Sequence, residues 1–440
     1  MAELFLRSRS GKTYFSLPDD WNLLTFAAFT DREQPHDPIG MARKSLQAPV
    51  GHEPLAKVVK PDQTIAIIIE DPSRNSPKQQ VLRAVLAECE AAGLPKSQVV
   101  IVIGLGTHRQ LERAEMEAVY GADLVEQYEF INHDCHAADL VAVGKLRSGT
   151  VVAVNRRVHE ADFVIGIGSI FPHPMNGFGG GGKILFPAVA NFEAILEHHL
   201  AYAFRGGSRL GCLGGNPFYQ EVTELALAGG LDFIVNSVLD HNDFLYEVVC
   251  GAPAEAHLAG VETSRRILSM QFAERADVTL ISAFPYSEGT QIMKPLAPAS
   301  EITREGGIVI LVADCNVPLP PAYLTGCERF RRANPGKLRP AVLDLFAANC
   351  RILEDGAPEF NMSMAQALLG QNDYTIILVT RDIGQQAVEQ LGFLYAASLE
   401  QALAMAREKC PVATAHVVPS GGVILPVLAE TKAPAAGRLL

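Results

Sequence analysis

The 440-residue chain has one tryptophan, no CxxC pair, no apolar run long enough to cross a bilayer and no excess of positive charge. Each absence closes a class of function. Its eight cysteines, at 89, 135, 212, 250, 315, 327, 350 and 410, stand singly, which argues against a zinc knuckle or disulfide framework and for reduced, mostly buried thiols. The longest apolar runs, TIAIII (64–69) and GIVILVA (307–313), are strand length rather than membrane length. A net charge of −12 argues against a nucleic-acid partner, since such proteins usually carry a basic surface that neutralises phosphates; a small anion in a basic cleft stays compatible with it. The opening MAELFLRSRSGKTYF lacks the basic region, long apolar core and cleavage site of a signal peptide, so a cytoplasmic protein is expected.

What is present is the composition of a folded protein, 48% hydrophobic and 20% charged, without low-complexity tracts. The length favours two or three domains. Short β-branched runs alternate with helical patterns, which predicts α/β layers with largely parallel strands. Strands are expected at 64–69, 98–104, 150–154 and 162–168, with helices near 77–92 and 111–119. A helix starting at Asn191 as N-cap should run to about residue 204. In the C-terminal part, strands are expected at 307–313 and 374–379 and a helix near 398–409. The expected division is an N-terminal domain, 1–270, possibly rejoined by 411–427, a C-terminal α/β domain, 271–410, and a tail, 428–440, with the active site in the cleft between the two domains. Loops leaving the carboxyl ends of parallel strands are where ligands bind. Three of them are polar: EDPSRNSP (70–77), GLGTHRQ (104–110) and the glycine segment after 162–168.

That segment, FPHPMNGFGGGGKILFP (171–187), is the most informative stretch. A run of four glycines costs roughly 0.5–1 kcal/mol per residue relative to alanine unless backbone must approach something closely. Gly177 to Lys183 spells GxxxxGK, the phosphate loop of NTPases, but Ile184 stands where Ser or Thr should hold Mg²⁺ and Pro187 interrupts the helix. Neither GLGTHR nor GFGGGG forms a dinucleotide GxGxxG unit with its acidic residue. A ligand site with Lys183 at its edge and a plain glycine-rich turn both remain open at this point. Of the histidines, His108 at a strand end is either a structural hydrogen bonder or a catalyst. His133 and His136 read as structural rather than as metal ligands, and His198 and His199, about 100° apart around a helix, cannot both face one site.

The combination of DPSR (71–74), GTHR (106–109), HPMNGFGGGGK (173–183), His199 and QIMK (291–294), in this order and spacing, resembles the nickel-dependent lactate racemase family. The resemblance implies a nickel-pincer nucleotide, the Ni(II) pyridinium-3,5-bisthiocarboxylate mononucleotide, attached covalently through a thioamide at Lys183. His199, sixteen residues on, would be the protein's nickel ligand, and imidazole suits planar Ni(II). His108 and His173 resemble the pair of alternating general acid/base residues, one for each face of the substrate. Asp71, Pro72, Ser73 and Arg74, the glycines Gly179, Gly180, Gly181 and Gly182, and Gln291 and Lys294 match cofactor-lining positions. Arg74 and Lys294 would also grip the substrate carboxylate.

By resemblance, then, the chain is a racemase or epimerase of a 2-hydroxy acid, acting by hydride abstraction and return, and dependent on cofactor-synthesis proteins as partners. An NAD-dependent dehydrogenase and a non-enzymatic nickel-nucleotide binding protein are the alternatives. Lactate-converting members commonly have a serine among the glycines and a threonine where this chain has Ser73. Glycine in place of that serine suggests room for a substrate side chain larger than methyl.

Overall fold

Continuous apolar runs such as IAIIIE and VVIVIG are buried on both faces, and that pattern belongs to central strands of parallel sheets covered by helices. The computed structural model, which describes residues 3–429, contains two such sheets of six strands each. In chain order their strands are β1 (Trp21–Phe26), β2 (Ile65–Glu70), β3 (Val99–Gly104), β4 (Glu129–Asn132), β5 (Phe163–Ile170), β6 (Phe233–Leu239), β7 (Leu245–Gly251), β8 (Ala276–Ser282), β9 (Thr303–Val312), β10 (Thr375–Val379), β11 (Leu394–Ala396) and β12 (Ala413–Val418). The first sheet runs β7-β6-β5-β2-β3-β4, parallel except for the antiparallel β6–β7 pair. The second runs β11-β10-β9-β8-β12-β1 and is wholly parallel.

The chain forms two units. One, called here the N-terminal unit, comprises Arg32–Tyr202 and Gly211–Ile267 and holds the first sheet; the other takes residues up to Asp31, Ala203–Leu210 and Leu268 onwards. Residues up to Asp31 and from Leu268 onwards therefore belong to one unit, the C-terminal unit, whereas the sequence expectation put 1–31 in the N-terminal domain and allowed 411–427 to rejoin it. The reason is backbone hydrogen bonding: β12 lies between β8 and β1, and the Trp21 indole N–H donates to the Cys410 carbonyl at 3.1 Å. Of the expected tail, Leu428 closes a short strand that pairs with Ser269–Phe272, and residues 430–440 lie outside the described residues.

Most expected elements appear within two or three residues of their assigned ends. The run at 150–154 differs: Val151–Val154 pairs antiparallel with Val141–Lys145 in a separate hairpin and is no part of either large sheet. Helix α1 (Lys78–Ala91) follows Pro77 and ends before Gly93, which has φ +84°, as proline at the start and glycine past the end should arrange. Helices α2 (Phe192–Tyr202), α3 (Pro217–Ala228) and α4 (Pro253–Leu268) complete the parts that bear on the site. Among the described residues no helix is long and apolar enough to cross a membrane.

In the first sheet, chain order reverses between β2 and β5, since β3 and β4 lie to one side of β2 while β5, β6 and β7 lie to the other. Loops that leave such a switch point diverge and open a crevice at the strand ends. Ile67, fully buried in the middle of β2 and paired with Ile101 and Ile165, anchors this region. Ile67→Ala should lower the stability of the N-terminal unit by about 2–5 kcal/mol, measured by denaturant titration against the wild type.

Candidate active site

The loops after β2, β3 and β5 carry Asp71, His108 and His173, so the residues come together because their strands are neighbours. Asp71 begins a turn in which its Oδ1 accepts the Ser73 N–H at 3.0 Å, an Asx arrangement that fixes the loop. Its Oδ2 takes the Nδ1 of His108. Burial alone would raise the Asp71 carboxyl; the His108 hydrogen bond and charge, with Arg74 and Ser73, overcome it and hold the group well below the usual carboxylate range. Pro72 and Ser73 are half-buried in the same turn. Arg74 follows, with its guanidinium carbon 5.2 Å from the centroid of Phe171.

His173 lies in a two-residue hairpin, where Pro172–His173 pairs with Gly177–Phe178. Its Nδ1 accepts the backbone N–H of Asn176 at 3.1 Å and of Met175 at 3.3 Å. The hydrogen bonding thus assigns opposite tautomers. His108 has its proton on Nδ1 toward Asp71 and a lone pair on Nε2, whereas His173 has a lone pair on Nδ1 and its proton on Nε2.

His173 Nε2 is 3.2 Å from Lys183 Nζ. Burial first, and then the charge of Arg74, lowers the Lys183 amine to about 7, where a large fraction is the uncharged nucleophile. Nζ also lies 5.7 Å from the Phe218 ring centroid, and His199 packs edge-on with the same ring, 5.0 Å between centroids. On α2, His199 donates Nδ1–H to the Ile195 carbonyl at 2.8 Å, which leaves Nε2 as the lone-pair nitrogen. That is the arrangement a metal-binding imidazole needs, with its second N–H held by a backbone acceptor. Burial, then the charge of Lys183, lowers His199 to about 3, so it is neutral. His198 is packed among Phe186, Phe218 and Tyr202 instead, with ring centroids 4.3–5.2 Å apart.

The protein's own packing crowds the Cβ position of all four glycines. A Cβ at Gly179 would stand 3.1 Å from the Phe171 ring and from the Ser169 carbonyl. At Gly180 it would meet Ile170 at 2.7 Å, at Gly181 the His257 ring at 2.6 Å, and at Gly182 Ala226 at 2.9 Å. Gly180 and Gly181 also have φ of +75° and +58°, values that favour glycine. Room for a larger substrate side chain therefore does not arise at these positions, because protein atoms fill it. Ile184 has the same kind of explanation: its Cγ2 sits where a side chain on Gly166 of β5 would be, 2.2 Å from that Cβ position, so the loop is keyed to the central strand by an aliphatic group.

Two residues that hold the loop left no mark in the sequence. Asn236 on β6 accepts the Gly181 N–H through Oδ1 at 2.9 Å, and His257 on α4 donates Nε2–H to the Gly179 carbonyl at 2.9 Å. Burial lowers His257 to about 4, against a smaller opposing effect of that bond, and its ring stacks on Tyr219. They lie 55 and 78 residues from their partners, with no local motif. His133 bonds the Ala190 carbonyl at 2.9 Å and His136 packs on Phe192, both structural as expected. Gln291 and Lys294 belong to the C-terminal unit, in and just after the turn Gly289–Met293; Lys294 lies 4.2 Å from the Tyr286 ring centroid. Gln291 Oε1 is buried there without a partner among the described residues. No cluster of three or more potential metal ligands occurs among the described residues.

Residues 9–211 match the family described as the lactate racemase N-terminal domain. The chain is 30% identical over 280 residues to a lactate racemase of Thermoanaerobacterium thermosaccharolyticum, covering 62% of this chain and 65% of the relative. It is 27% identical over 275 residues to a lactate racemase of Lactiplantibacillus plantarum, covering 61% and 64%. It thus spans just under two thirds of these relatives' lengths. The lactate racemase apoprotein structure from T. thermosaccharolyticum superposes with a TM-score of 0.85 at 24% identity, covering 97% of this chain and all of that one. A Thermotoga maritima protein of TM-score 0.64 and 17% identity shares the fold over 90% of this chain.

The lowered Lys183 amine has a direct consequence. In the nucleotide-free protein, acylation of Lys183 by a small anhydride should rise as pH increases through about 7 and level off where exposed lysines, with pKa near about 10.4, are still charged. Peptide mass mapping across a pH series measures it; a Lys183 rate that climbs only with the surface lysines would show that burial does not hold the amine neutral.

Proposed function

We propose that this chain, whose residues 9–211 match the family described as the lactate racemase N-terminal domain, is a racemase or epimerase of 2-hydroxy acids that depends on a nickel-pincer nucleotide. The single observation that carries the reading is the opposite hydrogen bonding of the two histidines. The hydroxyl proton must leave on one face of the substrate and return on the other. His108, with a lone pair on Nε2 and its other nitrogen held by Asp71, is set to accept a proton. His173, its Nδ1 held by two backbone N–H groups, is oriented with Nε2 as the nitrogen that returns the proton when the ring is protonated, and after a turnover the two have exchanged roles.

The residues present suit the implied nucleotide. Lys183 offers an amine lowered to about 7, so that a large fraction is uncharged, for the covalent link, and His199 offers a neutral imidazole with one nitrogen tied back to the helix and the other available to nickel. The chemistry such a group supplies when bound is reversible acceptance of the Cα hydride, which spares the reaction a carbanion beside a carboxylate. The chain's own residues do the rest. Arg74 presents a guanidinium suited to a bidentate carboxylate, the resemblance assigns Lys294 to the same carboxylate and Gln291 to the nucleotide, and Asp71 keeps His108 in one orientation and one tautomer.

The decisive experiment follows both enantiomers of a 2-hydroxy acid labelled with deuterium at Cα, using protein co-expressed with the cofactor-synthesis proteins. Inversion should occur with deuterium retained and with no net change at the nicotinamide band. His108→Asn and His173→Asn should each slow inversion by about 10²–10⁴-fold while the adduct mass on Lys183 stays unchanged. Loss of deuterium to solvent would point to proton abstraction at Cα, net oxidation to a dehydrogenase, and loading without turnover of any hydroxy acid to a nucleotide-binding protein.

A further inference from the structure

Arg74, Phe171 and Gly179 come from two different loops and meet in one stack. The Phe171 ring is buried, its carbonyl accepts the Gly179 N–H at 2.8 Å, and its Cε1 and Cζ lie 3.1 Å from where a Cβ on Gly179 would be. The Arg74 guanidinium carbon lies 5.2 Å from the centroid of that ring, within the range in which a cation over an aromatic face is attracted. Only Nη1 of the guanidinium is hydrogen bonded among the described residues, to the Ser73 Oγ at 3.1 Å and the Ser73 carbonyl at 3.3 Å. The backbone beneath is tied down as well, because the Arg74 carbonyl accepts from the buried Lys78 Nζ.

Stacking and hydrogen bonding use different parts of a guanidinium. An aromatic ring occupies the face, and carboxylates bind in the plane along the edge. A guanidinium fixed by its face and by one Nη1 therefore keeps Nε and Nη2, the edge suited to a bidentate carboxylate, available and oriented. We propose that Phe171 is the positioning residue for Arg74, and that Gly179 lacks a side chain in order to admit the Phe171 ring. This rests on the reading that Arg74 binds the substrate carboxylate, and it assigns the missing side chain at 179 to carboxylate recognition and not to substrate size. A serine at 179 would press on the ring and tilt the platform. The chain instead combines glycine at 179 with an aromatic residue at 171.

The test uses labelling of arginines by phenylglyoxal in the full-length, nucleotide-free protein, mapped by peptide mass spectrometry, with Arg113 on a surface helix as internal control. Releasing Arg74 from the ring, in Phe171→Leu or Gly179→Ala, should raise its labelling rate about threefold without changing Arg113, and Phe171→Tyr, which retains a ring, should restore the wild-type rate. In nucleotide-loaded protein the same two variants should raise KM for the 2-hydroxy acid at nearly constant kcat. Arg74 labelling at the wild-type rate in Phe171→Leu would overturn the proposal. Should Phe171→Leu fail to fold by circular dichroism, Gly179→Ala decides by the same two outcomes. If labelling responds as stated but the loaded wild type inverts no hydroxy acid, the platform stands and the catalytic reading falls, so the two failures are distinct.

Discussion

Among the described residues no carboxylate pairs the half-buried amine of Lys183 in the N-terminal unit, and the rest of the candidate site depends on that. Lys183 has an imidazole nitrogen at 3.2 Å and an aromatic ring at 5.7 Å as its neighbours, while the charge that acts on it is the like charge of Arg74. A charged ammonium there would be costly, so the group resides near the balance between its two forms. Burial, then the charge of Lys183, lowers His199 as well, and His173 meets Lys183 with a ring nitrogen rather than with a counter-ion. A site built from neutral donors can accept a covalent link and a metal without first removing protons or breaking ion pairs.

The loop on the other side of the crevice follows the opposite rule. Asp71, Arg74 and His108 form a tight group of charges and hydrogen bonds, and Glu70 one residue earlier accepts from Ser76 and Ser169. This half is polar and self-satisfied, and it is anchored on β2, while the neutral half is carried by β5 and α2. The switch in strand order between β2 and β5 keeps the two environments adjacent, with Arg74 reaching from one to the other. An acid/base residue is thereby placed in each, one oriented by a carboxylate and the other by backbone N–H groups.

Much of this was legible in the residues. The runs IAIIIE, VVIVIG and FVIGIGSI announce buried parallel strands, and the polar segments that follow them mark the site. What escaped the sequence is long-range. Val151–Val154 looks like another core strand, and only its antiparallel partner 141–145 removes it from the sheet. The pairing of β1 with β12 joins residues almost 400 apart, and no periodicity within either strand could announce it. The glycine run was conspicuous, yet its cause lay in Phe171, His257, Ala226 and Ile170. Glycine reports that something is close without saying whether it is ligand or protein. Asn236 and His257 act through single hydrogen bonds to backbone, which any polar residue of suitable reach can make.

The unequal settings of the two histidines bear on how the proposed reaction would be balanced. A racemisation between mirror-image substrates has an equilibrium constant of one, so kcat/KM must be the same for both enantiomers. The protein is not mirror-symmetric. A carboxylate beside His108 stabilises positive charge on that ring, whereas two N–H groups directed at Nδ1 of His173 occupy the position a second proton would take. The resting enzyme is consequently biased toward one assignment of base and acid, and only one of the two enantiomers meets it ready. The other must wait for the exchanged protonation state or bind a minor population of it. Since the ratio is fixed, that handicap has to appear as compensating differences in kcat and KM, and Asp71, through its hold on His108, sets their size.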